Sequence, residues 1–207
     1  MAGEVSVHVV DGDEGSRESI SLALNSVGIP NRTYASAEVF LAEFPNLVSG
    51  CVVTAVRLPK QSGLELLAHL APPRRSVSVI LISEDGDVAL AVEAMKRGAD
   101  DFLVKPLDKV LLLRAVQNGI SRTLATDRHE LDRADAMERI GRLSRREREV
   151  LGGLVDGKPN KVIAYELNIS PRTVEIYRAN IMHKVQVASV SKLVQLTILA
   201  GQSQSLR

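Results

Sequence analysis

Three places in the first half of the chain hold residue types that do chemistry. Asp11 and Asp13 follow the apolar run Val9-Val10, Ser83 closes the run Val79 to Ile82, and Lys105 follows Leu103-Val104. Two carboxylates, a hydroxyl and an ammonium are the raw material of an acid–base site. A fourth apolar run, Cys51 to Ala55, ends in the same manner on alanine, whose methyl group can do none of this. In open α/β sheets, ligands sit outside the carboxyl ends of the strands. The tip at Ala55 is therefore either an unimportant strand end or a site from which chemistry has been removed.

A second constellation lies near the other end of the chain. In residues 171–184, Val174, Tyr177 and Ile181 recur at helical spacing and suit a core-facing stripe. The opposite face offers Arg172, Glu175, Ile176, Ala179, Asn180 and His183. Donors and acceptors for base edges, small apolar groups for thymine methyls and cations for phosphates are what a DNA groove demands. The plain alternative is the solvated face of a small helical bundle.

The elements that position these residues follow from periodicity. Strands are predicted at 5–10, 31–35, 51–55, 77–83 and 101–105, with helical spacing between them at Ile20, Leu24 and Val27, at Val39-Phe40, at Leu64 and Leu67, and at Val88, Val92 and Met95. Such alternation implies a doubly wound parallel sheet, a (βα)5 domain over about 4–122. Its last helix is expected over about 107–122, with Leu111, Leu112, Ala115 and Val116 on the sheet. Residues 123–141 are highly charged with a ragged stripe of Leu124, Leu131 and Ile140, and read as a helical linker whose heptad is too broken for a coiled coil. A small all-α domain of four helices is expected over 142–201. Ser144 and Glu147 have the spacing of a capping box, Val162, Ile163 and Leu167 mark a short second helix, Ser170-Pro171 starts the third, and Val190, Leu193, Leu196 and Ile198 stripe the fourth. A short helix, a tight turn and a longer basic helix make a helix-turn-helix.

Charge divides along the same line. Residues 1–122 carry 12 Lys/Arg against 15 Asp/Glu, and residues 142–207 carry 11 against 5, so only the C-terminal part suits a polyanion. One cysteine excludes an internal disulfide framework and fits a cytoplasmic location. No run of about 18 apolar residues suggests a membrane span, and no charged-then-apolar leader is expected. The histidines at 8, 69, 129 and 183 lack metal-ligand spacing, and Glu84, Asp85 and Asp87 suit a solvated loop and helix cap.

Residues about 140–200, with "LSRREREVL" and "NKVIAYELNISPRTVEIYRANIMHKV", resemble the DNA-binding domain of LuxR/NarL-type regulators, and especially its FixJ subgroup. That resemblance implies phosphate contacts by Lys161, Arg172, Thr173 and Lys184, base-edge approach by Glu175, Ile176 and Ala179 with Asn180 or Arg178 nearby, and a dimerisation helix at 189–200. The first half, with "VHVVDGDEGSRESI", "TAVRLPKQSGLELL", "LISEDGD" and "AVEAMKRGADDFLVKP", resembles a response-regulator receiver domain. There the resemblance implies phosphoryl transfer from a histidine kinase to an aspartate closing the third strand, with Mg²⁺ held by acids after the first. Asp11, Ser83 and Lys105 match that pattern. Gly12 stands where the second acid is expected, with Asp13 one place on, and Ala55 replaces the acceptor.

A methyl group cannot form an acyl phosphate, and Mg²⁺ wants near-octahedral oxygen ligands. The expectation is a degenerate receiver with Mg²⁺ binding lost or weak, Lys105 paired with Asp11, and no enzymatic activity. The chain as a whole is expected to bind double-stranded DNA as a homodimer, with RNA polymerase or a sensor protein as further partners. Three alternatives stay open: a phosphorelay regulator using Ser83 or Asp13 as acceptor, a partner-sequestering adaptor, and a redox switch at Cys51. Buried strand cysteines are ordinarily inert.

Overall fold

The computed structural model describes residues 5–43, 49–70 and 76–201. The expected domain edge at residue 4 and the polar tail after Gly201 lie outside the described residues. The chain divides into two compact units, residues 1–127 and 128–207.

In the first unit, strands β1 (Val7–Val10), β2 (Asn31–Tyr34), β3 (Ser49–Ala55), β4 (Ser76–Ser83) and β5 (Asp101–Val104) form one parallel sheet of order β2-β1-β3-β4-β5. Between them lie α1 (Glu14–Asn25), α2 (Ala37–Glu43), α3 (Gly63–Leu70) and α4 (Val88–Lys96), and α5 (Lys109–Gly141) follows. Side chains alternate across a strand, so each central strand feeds two cores. Val10, Val52, Val79 and Leu81 pack with Phe40, Leu66, Leu67 and Ala94 of α2, α3 and α4. Val7, Val9, Cys51, Val53, Ile80 and Ile82 pack with Ile20, Leu24, Leu112 and Val116 of α1 and α5. Burial on both faces explains why these strands read as unbroken β-branched runs.

Several expected stripes are not core. Val27, Val39 and Leu111 are exposed, as are Val88, Val92 and Met95, because Leu90 and Ala94 turn α4 onto the sheet instead. The helix expected to end near Arg122 runs on to Gly141. Gly119 lets it lie close to the sheet, since a Cβ there would come within 2.5 Å of Ser78 Oγ and 3.1 Å of Cys51 Sγ. Leu124 and Leu131 are exposed, whereas Ala136 and Ile140 belong to the core of the second unit. The last turns of the expected linker thus contribute to the C-terminal core.

That second unit adds α6 (Arg145–Val155), α7 (Asn160–Glu166), α8 (Pro171–Lys184) and α9 (Val190–Leu199) around Val150, Leu151, Ile163, Val174, Ile181 and Leu193. The capping box of Ser144 and Glu147 is formed in full. Val162 and Ile198, expected on apolar stripes, are exposed. Among the described residues no helix is long and apolar enough to cross a membrane.

A partly buried polar chain crosses the edge of the sheet. Tyr34 donates its hydroxyl hydrogen to Glu43 (3.2 Å), so it accepts from His8 Nδ1 (3.1 Å), and His8 Nε2 accepts from Ser6 Oγ (3.0 Å). A neutral ring protonated at Nδ1 fits this pattern, and burial favours it. Burial first, and Arg32 second, hold the His8 pKa below its usual 6.5 against the opposing pull of Glu43. The folded state therefore resists protonation, and stability present above pH 6.5 is lost as the pH falls below it. Unfolding free energy of the native chain is expected to decline between pH 7 and 5 more steeply than that of His8→Asn, by up to about 1.4 kcal/mol per pH unit. Equal slopes in denaturant titrations would exclude His8 as the titrating group.

Candidate nucleic-acid interface and strand-tip pocket

The registers Val10↔Thr54, Ala55↔Ile82 and Ser83↔Val104 bring the carboxyl ends of β1, β3, β4 and β5 together. Strand order reverses between β1 and β3, which places Asp11 and Ala55 at the topological switch point. Asp11 is only 3% exposed. Its Oδ1 accepts from the Asp13 amide (3.0 Å), and its Oδ2 accepts from Ser16 Oγ (2.7 Å) and Lys105 Nζ (2.9 Å). The expected Lys105–Asp11 pair is present. Arg17, a neighbour the sequence reading did not single out, donates to the carbonyls of Asp11 (2.8 Å) and Gly12 (3.1 Å).

The other tip residues are committed elsewhere. The Asp13 carboxylate caps α1 by accepting from Ser16 N (2.7 Å), and Ser83 Oγ accepts from Asp85 N (3.2 Å). Asp85 pairs with Arg57 (2.6 Å), and Asp87 caps α4. Ala55 is buried and presents a methyl group.

A receiver's Mg²⁺ does not fit these residues. The metal needs carboxylate oxygens free to coordinate, but both Asp11 oxygens are occupied and positions 12 and 55 supply none. Position 12 is also tight, since a Cβ there would stand 3.1 Å from the Pro59 ring. Among the described residues no cluster of three metal-ligand side chains occurs. Cys51 lies fully buried in β3, and burial pushes its thiol up to about 12, so it carries almost no reactive thiolate.

In the second unit, α7 ends at Glu166, Asn168 takes a left-handed turn (φ 53°), and Ser170 caps α8 by accepting from Thr173 N. Asparagine tolerates that conformation better than most residues. Val174 and Ile181 are buried and Tyr177 is half-buried, which turns Arg172, Glu175, Ile176, Ala179, Asn180 and His183 to solvent. Arg172 and Glu175 form an exposed ion pair (3.3 Å). Such pairs contribute little, about 0–1 kcal/mol, and exchange readily for another partner. Arg178 is half-buried, and the Thr173 hydroxyl bonds the Ser170 cap (2.8 Å). Lys161 is exposed on α7.

Both units resemble known protein families. Residues 7–117 match the model of the response regulator receiver domain, and residues 141–197 that of the bacterial regulatory proteins of the luxR family. The chain is 47% identical to the transcriptional regulatory protein FixJ of Azorhizobium caulinodans, over 97% of this chain and 95% of that one. With FixJ of Rhizobium meliloti the identity is 41%, over 96% and 97%. The solved response regulator StyR has a TM-score of 0.82 at 34% identity, covering 95% of this chain and 99% of that one. Full-length FixJ from B. japonicum has a TM-score of 0.59 at 40% identity, covering 97% and 99%.

Lys184, expected to hold a phosphate, has a partner inside the protein. Its ammonium lies 2.8 Å from a carboxylate oxygen of Glu147, a nearly buried side chain that also accepts from Ser144 N (2.7 Å). Burial alone would push the Glu147 pKa up, but the Lys184 hydrogen bond and the Ser144 amide outweigh it and hold the carboxyl below its usual value. The pair ties the start of α6 to the end of α8. Stability from Glu147 is present above its unfolded value near 4.5 and is lost as the pH falls. Lys184→Ala is expected to lower unfolding free energy by about 1–2 kcal/mol at neutral pH, since the ammonium is partly solvated. No loss of stability, with a smaller salt dependence of DNA binding, would return Lys184 to the phosphate contacts.

Proposed function

Since the chain belongs to the two-component response regulators with a LuxR-type DNA-binding domain, in their FixJ branch, we propose that it binds specific double-stranded DNA as a homodimer without receiver phosphorylation at the usual site. The carrying observation is the pocket, where a methyl replaces the acceptor carboxylate and both Asp11 oxygens already bond Lys105, Ser16 and the Asp13 amide. The substitute acceptors lose ground on the same geometry. Asp13 is held as a helix cap, and Ser83 is buried beneath the Asp85 amide. A redox switch at Cys51 lacks both access and thiolate.

On DNA, α8 enters the major groove. Arg172, with Lys161 from α7, neutralises phosphates, while Glu175, Ile176, Ala179 and Asn180 face base edges. Thr173 and Arg178 support the first turns of the helix and its flank. Lys184 acts through α8 orientation more than through a phosphate.

The receiver serves as a standing dimerisation module. Val88, Val92 and Met95 form an exposed stripe on α4, flanked by Phe102 and Val104 of β5. Asp87 sits at one end of this helix and Lys96 at the other. A two-fold copy laid antiparallel sets Val92 on Val92, Val88 on Met95, and each Asp87 toward a partner lysine, so the patch complements itself. Nothing in this surface requires a phosphoryl group to uncover it.

Salt titrations of operator binding test the DNA face. Arg172→Ala is expected to weaken binding to all sequences and lower the salt slope by about one, whereas Glu175→Ala relaxes base preference at one position by about 1–3 kcal/mol. Uniform loss for Glu175→Ala, or an unchanged slope for Arg172→Ala, would contradict these roles. For the dimer, Val92→Glu places two carboxylates at the symmetry axis. Sedimentation of untreated protein is expected to give a dimer for the native chain and a monomer for this variant, and an undiminished variant dimer would move the interface elsewhere.

A further inference from the structure

Tyr165 is 88% exposed, ahead of every other exposed large apolar side chain among the described residues, where the next reaches 75% at Val88. Its ring does nothing for the core. Ile163 and Ala164 fill that role on α7, each almost fully buried. A tyrosine combines a large apolar body with a polar tip and is enriched at interfaces for that reason. Exposure alone is ordinary for a single apolar side chain, so what singles out Tyr165 is its setting.

The surroundings narrow its partner. One flank of α7 carries Glu166, which Lys158 holds at 2.8 Å. Lys158 also reaches Asp156 just after α6, so that flank is tied back toward the protein. The other flank presents Lys161 and Tyr165, four residues apart and hence neighbours on one face. No ion pair engages Lys161 among the described residues. An ammonium and a phenol hydroxyl side by side make a donor pair suited to an anion with several acceptor oxygens. The position is also rigidly coupled to α8. Tyr165 O accepts from Asn168 N (3.2 Å) and Ala164 O accepts from Ile169 N (3.0 Å), both within the turn that enters α8. In a helix-turn-helix the first helix crosses the DNA backbone while the second lies in the groove.

We propose that Tyr165 is a phosphate contact, its hydroxyl donating to a backbone oxygen of the duplex that receives α8, one helical turn from the Lys161 ammonium. This rests on the DNA-binding reading above. It adds to that reading a neutral contact, which positions the duplex without adding to counterion release. Charge and hydrogen bonding thereby become separable, because counterion release depends on the cations alone.

The experiment titrates operator and random duplexes with the full-length native chain, Tyr165→Phe, Tyr165→Ala and Lys161→Ala at several salt concentrations. Thermal unfolding checks that the exposed substitutions leave the fold intact. Tyr165→Phe keeps the ring and loses only the donor, so affinity is expected to fall about 3–10-fold on both duplexes, the scale of one hydrogen bond. Its salt slope stays that of the native chain, whereas Lys161→Ala lowers the slope by about one. Tyr165→Ala is expected to bind no better than Tyr165→Phe.

Native-like binding by Tyr165→Phe overturns the proposal, even if transcription changes, since that outcome assigns the ring to a protein partner. Loss on the operator alone also overturns it, because it marks a base contact. Failure of the native chain to bind any duplex would sink the DNA reading itself and this inference with it, a result distinct from the other two.

Discussion

The receiver-like unit is organised around one carboxylate. Asp11 lies at the end of β1 with almost no solvent, where an unpaired charge is costly. Its stability therefore depends on donors from three elements: the Asp13 amide beside it, the Ser16 hydroxyl on α1 and the Lys105 ammonium after β5. Together they supply Asp11 with the compensating charge and hydrogen bonds that a buried carboxylate needs. Removing one member of such a buried pair typically costs about 3–5 kcal/mol. Ala55 fits this arrangement, since a second carboxylate in the pocket would compete with Asp11 for the Lys105 charge.

A similar device holds the C-terminal unit. Glu147 accepts the Ser144 amide in the capping box and the Lys184 ammonium at the far end of α8. One nearly buried side chain thus satisfies the start of α6 and ties it to the end of α8. The left-handed turn at Asn168 fixes the other end. Both units use a buried acid and a lysine distant in sequence to join elements far apart along the chain.

Much of the fold was legible because its signals are local. β-branched runs mark strands covered on both faces, and Ser170-Pro171 and Ser144 with Glu147 mark helix starts through bonds spanning three residues. What was misread depends on partners far along the chain. Helical spacing found the Val88–Val92–Met95 stripe but not the direction it faces, which Ala94 decides by packing on the sheet. The polar sequence after Arg122, read as a helical linker, did not show that its last turns join the C-terminal core, because the anchoring residues Ala136 and Ile140 pack on helices yet to come. The Glu147 partner of Lys184 was not legible, since it lies 37 residues earlier. Ser16 and Arg17 passed unnoticed because their bonds depend on how the chain turns between β1 and α1.

These features describe a response regulator with a LuxR-type DNA-binding domain, in which Ala55 stands where a receiver's acceptor carboxylate is expected. The most direct test is a titration of operator DNA by the untreated full-length protein, repeated after incubation with acetyl phosphate and Mg²⁺. Superimposable curves, and an unchanged protein mass, are the expected result. Binding tightened tenfold by the phosphodonor, with the mass of one added phosphoryl group, would contradict it.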